Sequence, residues 1–301
     1  MNCVRRTRLV FLLLTVALGL GLGCAKFNDS CPVTTPEVWG EIGVDLDIRR
    51  AYIRQCEAPV GNFLADALLN YDYNLQYEGN DVVVTMGLIN SGAIRDRVTC
   101  GDLGDTRDRI PQGPVTDQDL FQLLPFYEDS VVVVRMDSDS LERVLERSVS
   151  ALGIEGGEGQ EEGYFMQVAG QRGVRVDLDC SGTAQTLDTS GKVIVTEGTR
   201  ISSFCLGDPC ERPPGIIYVA TLDFVVGTSA DDVPNDGFVG FHDDGVEVLE
   251  TYLPVIDVVR PWLAGYAREH GLDPGVYPAV EGRLNYQTSC AELSASCGLG
   301  L

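Results

Sequence analysis

Histidine and lysine are almost absent from this sequence of 301 residues: His242 and His270 are the only imidazoles, Lys26 and Lys192 the only lysines. Two histidines cannot furnish the usual ligand set of a dinuclear phosphatase centre, and without a CxxC pair a structural zinc site has little to draw on. His242 stands beside Asp243 and Asp244 and reads as a surface turn residue. A GxSxG nucleophile elbow, a phosphate-cradling Walker loop and a GxGxxG fingerprint are missing too, which removes the commonest short signatures of nucleophilic hydrolysis and cofactor binding. Positive charge is also scarce. Lysine and arginine total 22 against 45 acidic residues, a formal net charge of −23, so nucleic acid is excluded as a partner and any basic cluster must be local.

Only one long apolar run occurs. Leu9–Gly23 lies behind Arg5, Arg6 and Arg8, the pattern of a signal peptide over residues 1–23. Its length, about fifteen apolar residues, falls short of the roughly twenty needed to span a bilayer. The junction Leu20-Gly21-Leu22-Gly23-Cys24 resembles a bacterial lipobox. Cys24 is therefore the expected lipidation site of an exported chain in the bacterial envelope, touching the membrane through a lipid anchor only. Residues 24–40, with Pro32 and Pro36, read as a tether. Cys31, Cys56, Cys100, Cys180, Cys205, Cys210, Cys290 and Cys297 then remain. An even set in an exported chain reads as disulfides with the pairing open, Cys205 with Cys210 and Cys290 with Cys297 being close enough for small loops.

Residues 41–286 alternate apolar strands with amphipathic helices and carry no long linker, so one α/β domain is expected, a mixed sheet with packed helices, followed by a polar tail over 287–301. Pro59–Leu69 has helical spacing behind an early proline. Val82–Thr85, Val131–Met136, Val174–Leu178, Val193–Val195 and Ile216–Leu222 read as strands. Asp139 with Glu142 reads as a capping box starting a helix through Val149. Gly153–Gly163 reads as a surface loop. Val246–Leu253 reads as a helix, interrupted by Pro254 and Pro261 and resumed over Trp262–His270.

Binding chemistry is concentrated in four blocks: IRQCEAPVGNFLADALL from Ile53 to Leu69, INSGAIRD from Ile89 to Asp96, LLPFYEDSVVVVRM from Leu123 to Met136, and YVATLDFVVG from Tyr218 to Gly227. After a strand, the turn containing Asn90 and Gly92 lets backbone approach a ligand, and Arg95 can present its fork to a phosphate or carboxylate. Taken alone, these arginines could equally be surface ion pairs, and Phe126 and Phe224 could be core residues. In their order, however, the four blocks resemble the C-terminal domain family of the 5'-nucleotidases. GYFMQVAG at Gly163–Gly170, GTRI at Gly198–Ile201 and GVEVLETYL at Gly245–Leu253 extend the match, the last of these resembling the family's closing helix.

The resemblance implies a nucleoside or nucleotide ligand. Phe126 and Phe224 match the pair that sandwiches the base. Arg54 and Arg95 match phosphate-side arginines, with Arg50 one step earlier. Asn90 and Asp236 match positions that bond the base or the ribose, beside Gly92. In full-length relatives the metals belong to an N-terminal metallophosphoesterase domain, so no cofactor is expected in this chain. Hydrolysis by it alone is not expected either, and a separate metallophosphoesterase is the implied partner. Three departures stand out. Gly227–Phe238 is longer and more acidic than the family's short G-G-D-G-[FY], a candidate calcium loop; Tyr127 can narrow the pocket, and Glu128 opposes a nearby phosphate. They leave a second reading, a non-catalytic structural or interaction lipoprotein on the same fold.

Overall fold

The computed structural model describes residues 36–95, 108–126, 129–152, 163–227, 235–270 and 280–298. Strands β1 (Val38–Ile42) and β2 (Leu46–Asp47) precede a one-turn helix α1 (Arg50–Ile53) and α2 (Pro59–Asn70). A ribbon of β3 (Gln76–Tyr77) and β4 (Asn80–Asp81) leads to β5 (Met86–Asn90). Next come β6 (Arg109–Ile110), β7 (Gly113–Thr116), α3 (Asp117–Leu123), β8 (Ser130–Met136), α4 (Ser138–Ser148), β9 (Met166–Gly170) and β10 (Val174–Leu178). The chain continues through β11 (Thr186–Leu187), β12 (Ile194–Thr196), β13 (Ile201–Leu206), β14 (Ile217–Leu222), α5 (Asp223–Val226), β15 (Glu247–Pro254), α6 (Val255–His270), β16 (Leu284–Tyr286) and α7 (Ala291–Ser296).

The valine run of β8 organises the fold. Side chains alternate across a strand. Val131 and Val133 accordingly enter one core with α2, α3 and α6, while Val132 and Val134 enter a second core with α4, β10 and β13. Buried on both faces, β8 lies inside a five-stranded mixed sheet of order β15-β8-β14-β5-β9, in which β14 and β5 are parallel and the other pairs antiparallel. A smaller sheet, β13-β10-β16, covers the second core. The α/β class expected from the sequence is the class observed.

Several local expectations are corrected. Of the segment Val246–Leu253, all but Val246 belongs to the edge strand β15, not to a helix. The apolar spacing comes from burial on both faces: Val246 and Val248 pack on the second core, Leu249 and Leu253 on the first, and a bulge between Leu249 and Leu253 sets four steps of β15 against two of β8. The helix α6 starts only at Val255 and continues through Pro261, its buried Val258, Val259 and Leu263 holding it on the core. Val82–Thr85 leads into β5, which begins at Met86; Thr85 bonds the Tyr218 carbonyl through both N–H and hydroxyl. The cap of α4 is Asp137, accepting from the Ser140 N–H at 2.8 Å, while Asp139 and Glu142 pair with Arg212 instead.

Cys205 is bonded to Cys210 as the spacing suggested, but Cys290 pairs with Cys180 and Cys297 with Cys56. Helix α7 lies between Cys290 and Cys297, and seven residues of helix rise about 10 Å, beyond disulfide reach. The expectations for the signal peptide, Cys24, Cys31, Cys100 and the loop 153–162 lie outside the described residues.

Candidate functional site

Topology brings distant residues to one edge of the main sheet. Strands β5 and β14 are parallel, so Asn90 and the Asp223-Phe224 start of α5 leave the sheet at the same end; antiparallel β8 begins there, with Leu222 opposite Val131. Crevices outside strand carboxyl ends are the usual ligand places of open α/β sheets. Here a cavity of about 450 Å³ is lined by Arg54, Asn90, Gly92, Ala93, Arg95, Phe126, Asp129, Gly163, Phe224 and Asp236, within the range of small-molecule sites.

Each lining residue has its own support. After Asn90 the chain makes a 3-10 turn, Ser91–Ala93, pinned by the Ser91 N–H to the Phe165 carbonyl (2.8 Å) and the Gly92 N–H to the Gly163 carbonyl (3.0 Å). Gly92 and Gly163 touch backbone to backbone, and a Cβ on Gly163 would stand 2.7 Å from the Gly92 Cα, so a larger residue would separate the two segments. Asn90 is 1% exposed, and its Oδ1 has no hydrogen-bond partner among the described residues. A buried carbonyl in that state costs stability and is ready to accept from a donor. Arg95, whose N–H bonds the Leu123 carbonyl, places its guanidinium 4.8 Å from the Phe126 ring centroid, a cation–π contact. Arg54 is 7% exposed and ends α1.

Phe224 opens α5 and is 40% exposed, an unusual place for a large aromatic unless something covers it. Asn235 Nδ2 donates to the Phe224 carbonyl at 2.7 Å, tying the two walls together. Asp236 has a left-handed backbone, φ 60°, and its carbonyl accepts from Arg147 Nε at 2.6 Å; Arg147 in turn stacks 4.0 Å over Tyr164. His242 is exposed and its Nε2 bonds the Val226 and Gly227 carbonyls, closing the end of α5.

The family model "5'-nucleotidase, C-terminal domain" matches residues 33–213. This chain belongs to that family. Human 5'-nucleotidase is 26% identical over 254 residues, 83% of this chain and 37% of the human protein; the bovine one is 26% identical over 259 residues, 86% and 38%. The chain thus spans under two fifths of the length of these relatives. The crystal structure of a 5'-nucleotidase precursor from Thermus thermophilus shares the fold, with a TM-score of 0.55, 22% identity, and 84% of this chain and 40% of that one covered. The NAD nucleotidase of Haemophilus influenzae has a TM-score of 0.51, 19% identity, and 84% and 38% covered.

In this 5'-nucleotidase C-terminal domain, Arg54, Asn90, Gly92, Arg95, Phe126, Phe224 and Asp236 all line the one cavity, although 182 positions separate the first from the last. Arg50 does not line it. Ala93, Gly163 and Asp129 do, and the sequence reading passed over them. Asp129 sits three residues after Phe126 and bonds back to its carbonyl at 2.8 Å; its place in the Pro-Phe block was the available signal. The two guanidiniums therefore share the cavity with two carboxylates, those of Asp129 and Asp236. Tyr127, Glu128 and residues 228–234 of the candidate calcium loop Gly227–Phe238 lie outside the described residues. Among the described residues no group of three His, Cys, Asp or Glu is placed to hold a metal, and no helix is long and apolar enough to cross a membrane.

Proposed function

We propose that this protein binds a nucleoside or nucleotide in the cavity between Phe126 and Phe224, at the surface of a bacterial envelope to which Cys24 anchors it by lipid. The observation that carries the proposal is the convergence of seven of the eight residues singled out from the sequence, all but Arg50, on one cavity of ligand size. Each base–aromatic stack contributes about 1 to 3 kcal/mol and tolerates base identity. The Asn90 carbonyl can accept from a base N–H, the Asp236 carboxylate from ribose hydroxyls, and the Arg54 and Arg95 forks suit a phosphate better than lysine would. Hydrolysis needs divalent metals, and they belong on a separate metallophosphoesterase chain that completes the site during nucleotide catabolism. This chain supplies the grip.

A structural or interaction lipoprotein on the same fold is the second reading, favoured by Asp129 and Asp236, which balance the arginines' charge inside the cavity. Calorimetric titration separates the two. The mature chain should bind AMP and adenosine, and the double variant Phe126→Ala, Phe224→Ala should lose at least about thirtyfold in affinity, the smallest effect of two lost stacks. Absent or unchanged binding in both proteins would refute nucleotide recognition.

A further inference from the structure

Arg54 reaches the cavity from a turn, not from a regular element. Residues 54–58 join α1 to α2, and a turn's backbone groups need partners outside any ladder. One side chain supplies two of them and also holds the end of α1. Gln167 Nε2 donates to the Ile53 carbonyl at 3.0 Å and to the Cys56 carbonyl at 2.7 Å, and Gln167 Oε1 accepts from the Ala58 N–H at 3.0 Å. The bonds bracket Arg54 on both sides. Gln167 is completely buried and lies on β9 in register with Ile89, one pair away from Asn90. Gly61 makes the room: a Cβ there would stand 2.2 Å from the Gln167 Cγ. On its outer side the turn is held by the Cys56–Cys297 disulfide and by the Tyr286 hydroxyl donating to the Gln55 carbonyl at 2.7 Å.

We infer that Gln167 is a positioning residue that fixes the Arg54 guanidinium relative to the strand bearing Asn90, so that the anionic and the aromatic parts of one ligand are gripped at a set separation. This rests on the nucleotide reading above. Gln167 does not line the cavity. It can act on a ligand only through the turn it holds, and Arg54 is the cavity-lining residue of that turn. Its loss should therefore weaken recognition of the phosphate and leave recognition of the nucleoside alone.

Calorimetry on the mature, disulfide-intact chain tests this with adenosine and AMP as probes, in the native protein, Gln167→Met, Arg54→Met and the double variant. The readout is the ratio of the adenosine and AMP dissociation constants. Arg54→Met should reduce that ratio about tenfold, the loss of a charge-assisted hydrogen bond. Gln167→Met should reduce it at least about fivefold, with adenosine affinity within about twofold, and should have no further effect when added to Arg54→Met. If Gln167→Met weakens both ligands equally, or leaves the ratio intact, Gln167 is a structural residue only and the inference fails while nucleotide binding stands. If the native chain binds neither ligand, the nucleotide reading itself has failed. Should Gln167→Met not fold, Gln167→Glu keeps the shape and the acceptor for Ala58 but, protonated between the two carbonyls, can donate to only one of them at a time, and the same ratio decides.

Discussion

Replacing Glu57 with glutamine changes almost no volume, yet it should lower stability by about 2 to 4 kcal/mol. The Glu57 carboxylate is completely buried between the start of α2 and the segment before β16. One oxygen accepts from Asn62 Nδ2 at 2.8 Å and from the Glu281 N–H at 2.7 Å, the other from the Leu284 N–H at 3.1 Å. All three groups are donors, and two are backbone groups that cannot turn away. A glutamine has one oxygen to offer. Turned toward Asn62 and Glu281, it sets its own amide hydrogens against the Leu284 N–H, which removes one charge-assisted bond of about 1.5 to 3 kcal/mol and leaves a buried donor unmet at about 1 to 3 kcal/mol. Relief from burying a charge offsets part of the sum. Equilibrium unfolding in urea measures the result: with a slope of about 3 kcal/mol/M, the midpoint should fall by roughly 1 M at unchanged slope. A midpoint within about 0.2 M of the native one would show that the three contacts do not hold α2 to the C-terminal segment, and the reasoning would be wrong.

Acid should destabilise the fold through particular carboxylates. Asp137 titrates below the ordinary aspartate value of 3.8 because the Ser140 N–H donates to it; Asp177 does so despite its partial burial, because Ser203, Asn285 and Arg175 bond it. A depressed folded value means stability that is fully present above 3.8 and lost as pH falls through the folded values, so melting temperatures should drop below pH 3.8, and less steeply in Asp177→Asn. Arg283, 10% exposed at its side chain, makes two 2.8 Å bonds to Asp66 and a third, at 2.9 Å, to the Val168 carbonyl. Arg283→Met should cost about 3 kcal/mol in urea unfolding, the lower end for breaking a buried pair, and a cost under about 1 kcal/mol would contradict the assigned pairing.

How far the molecule could be read from its sequence differed by kind of feature. The buried valine run of β8 and the helix behind Pro59 were legible because their patterns are local: a strand covered on both faces is apolar at every position, and proline suits a helix start. The strand β15 was not. Val246 and Val248 face one core, Leu249 and Leu253 the other, and apolar residues on both faces of a short strand fall at intervals that periodicity cannot tell from a buried helix. Of the two small disulfide loops suggested by spacing, Cys205–Cys210 formed and the other failed for a related reason. Proximity in sequence suggested Cys290 with Cys297, while the helix between them turned each toward a different distant cysteine.

The cavity shows why its residues could be named from the sequence and its supports could not. Residues that line the site fall in ordered blocks that resemble the family, and that resemblance, more than the chemistry of any one arginine or phenylalanine, picked them out. It singled out none of the groups that hold them. A buried glutamine on a strand reads as an anomaly until its three bonds around the Arg54 turn are seen, and Gly61 reads as a helix weakness until the glutamine beneath it is seen. Both are costly choices for a strand and a helix considered separately. They become intelligible together, since Gly61 admits Gln167, Gln167 fixes the turn, and the turn delivers Arg54 to a cavity whose other walls come from segments at the ends of the sheet strands and from the turn at Asp236.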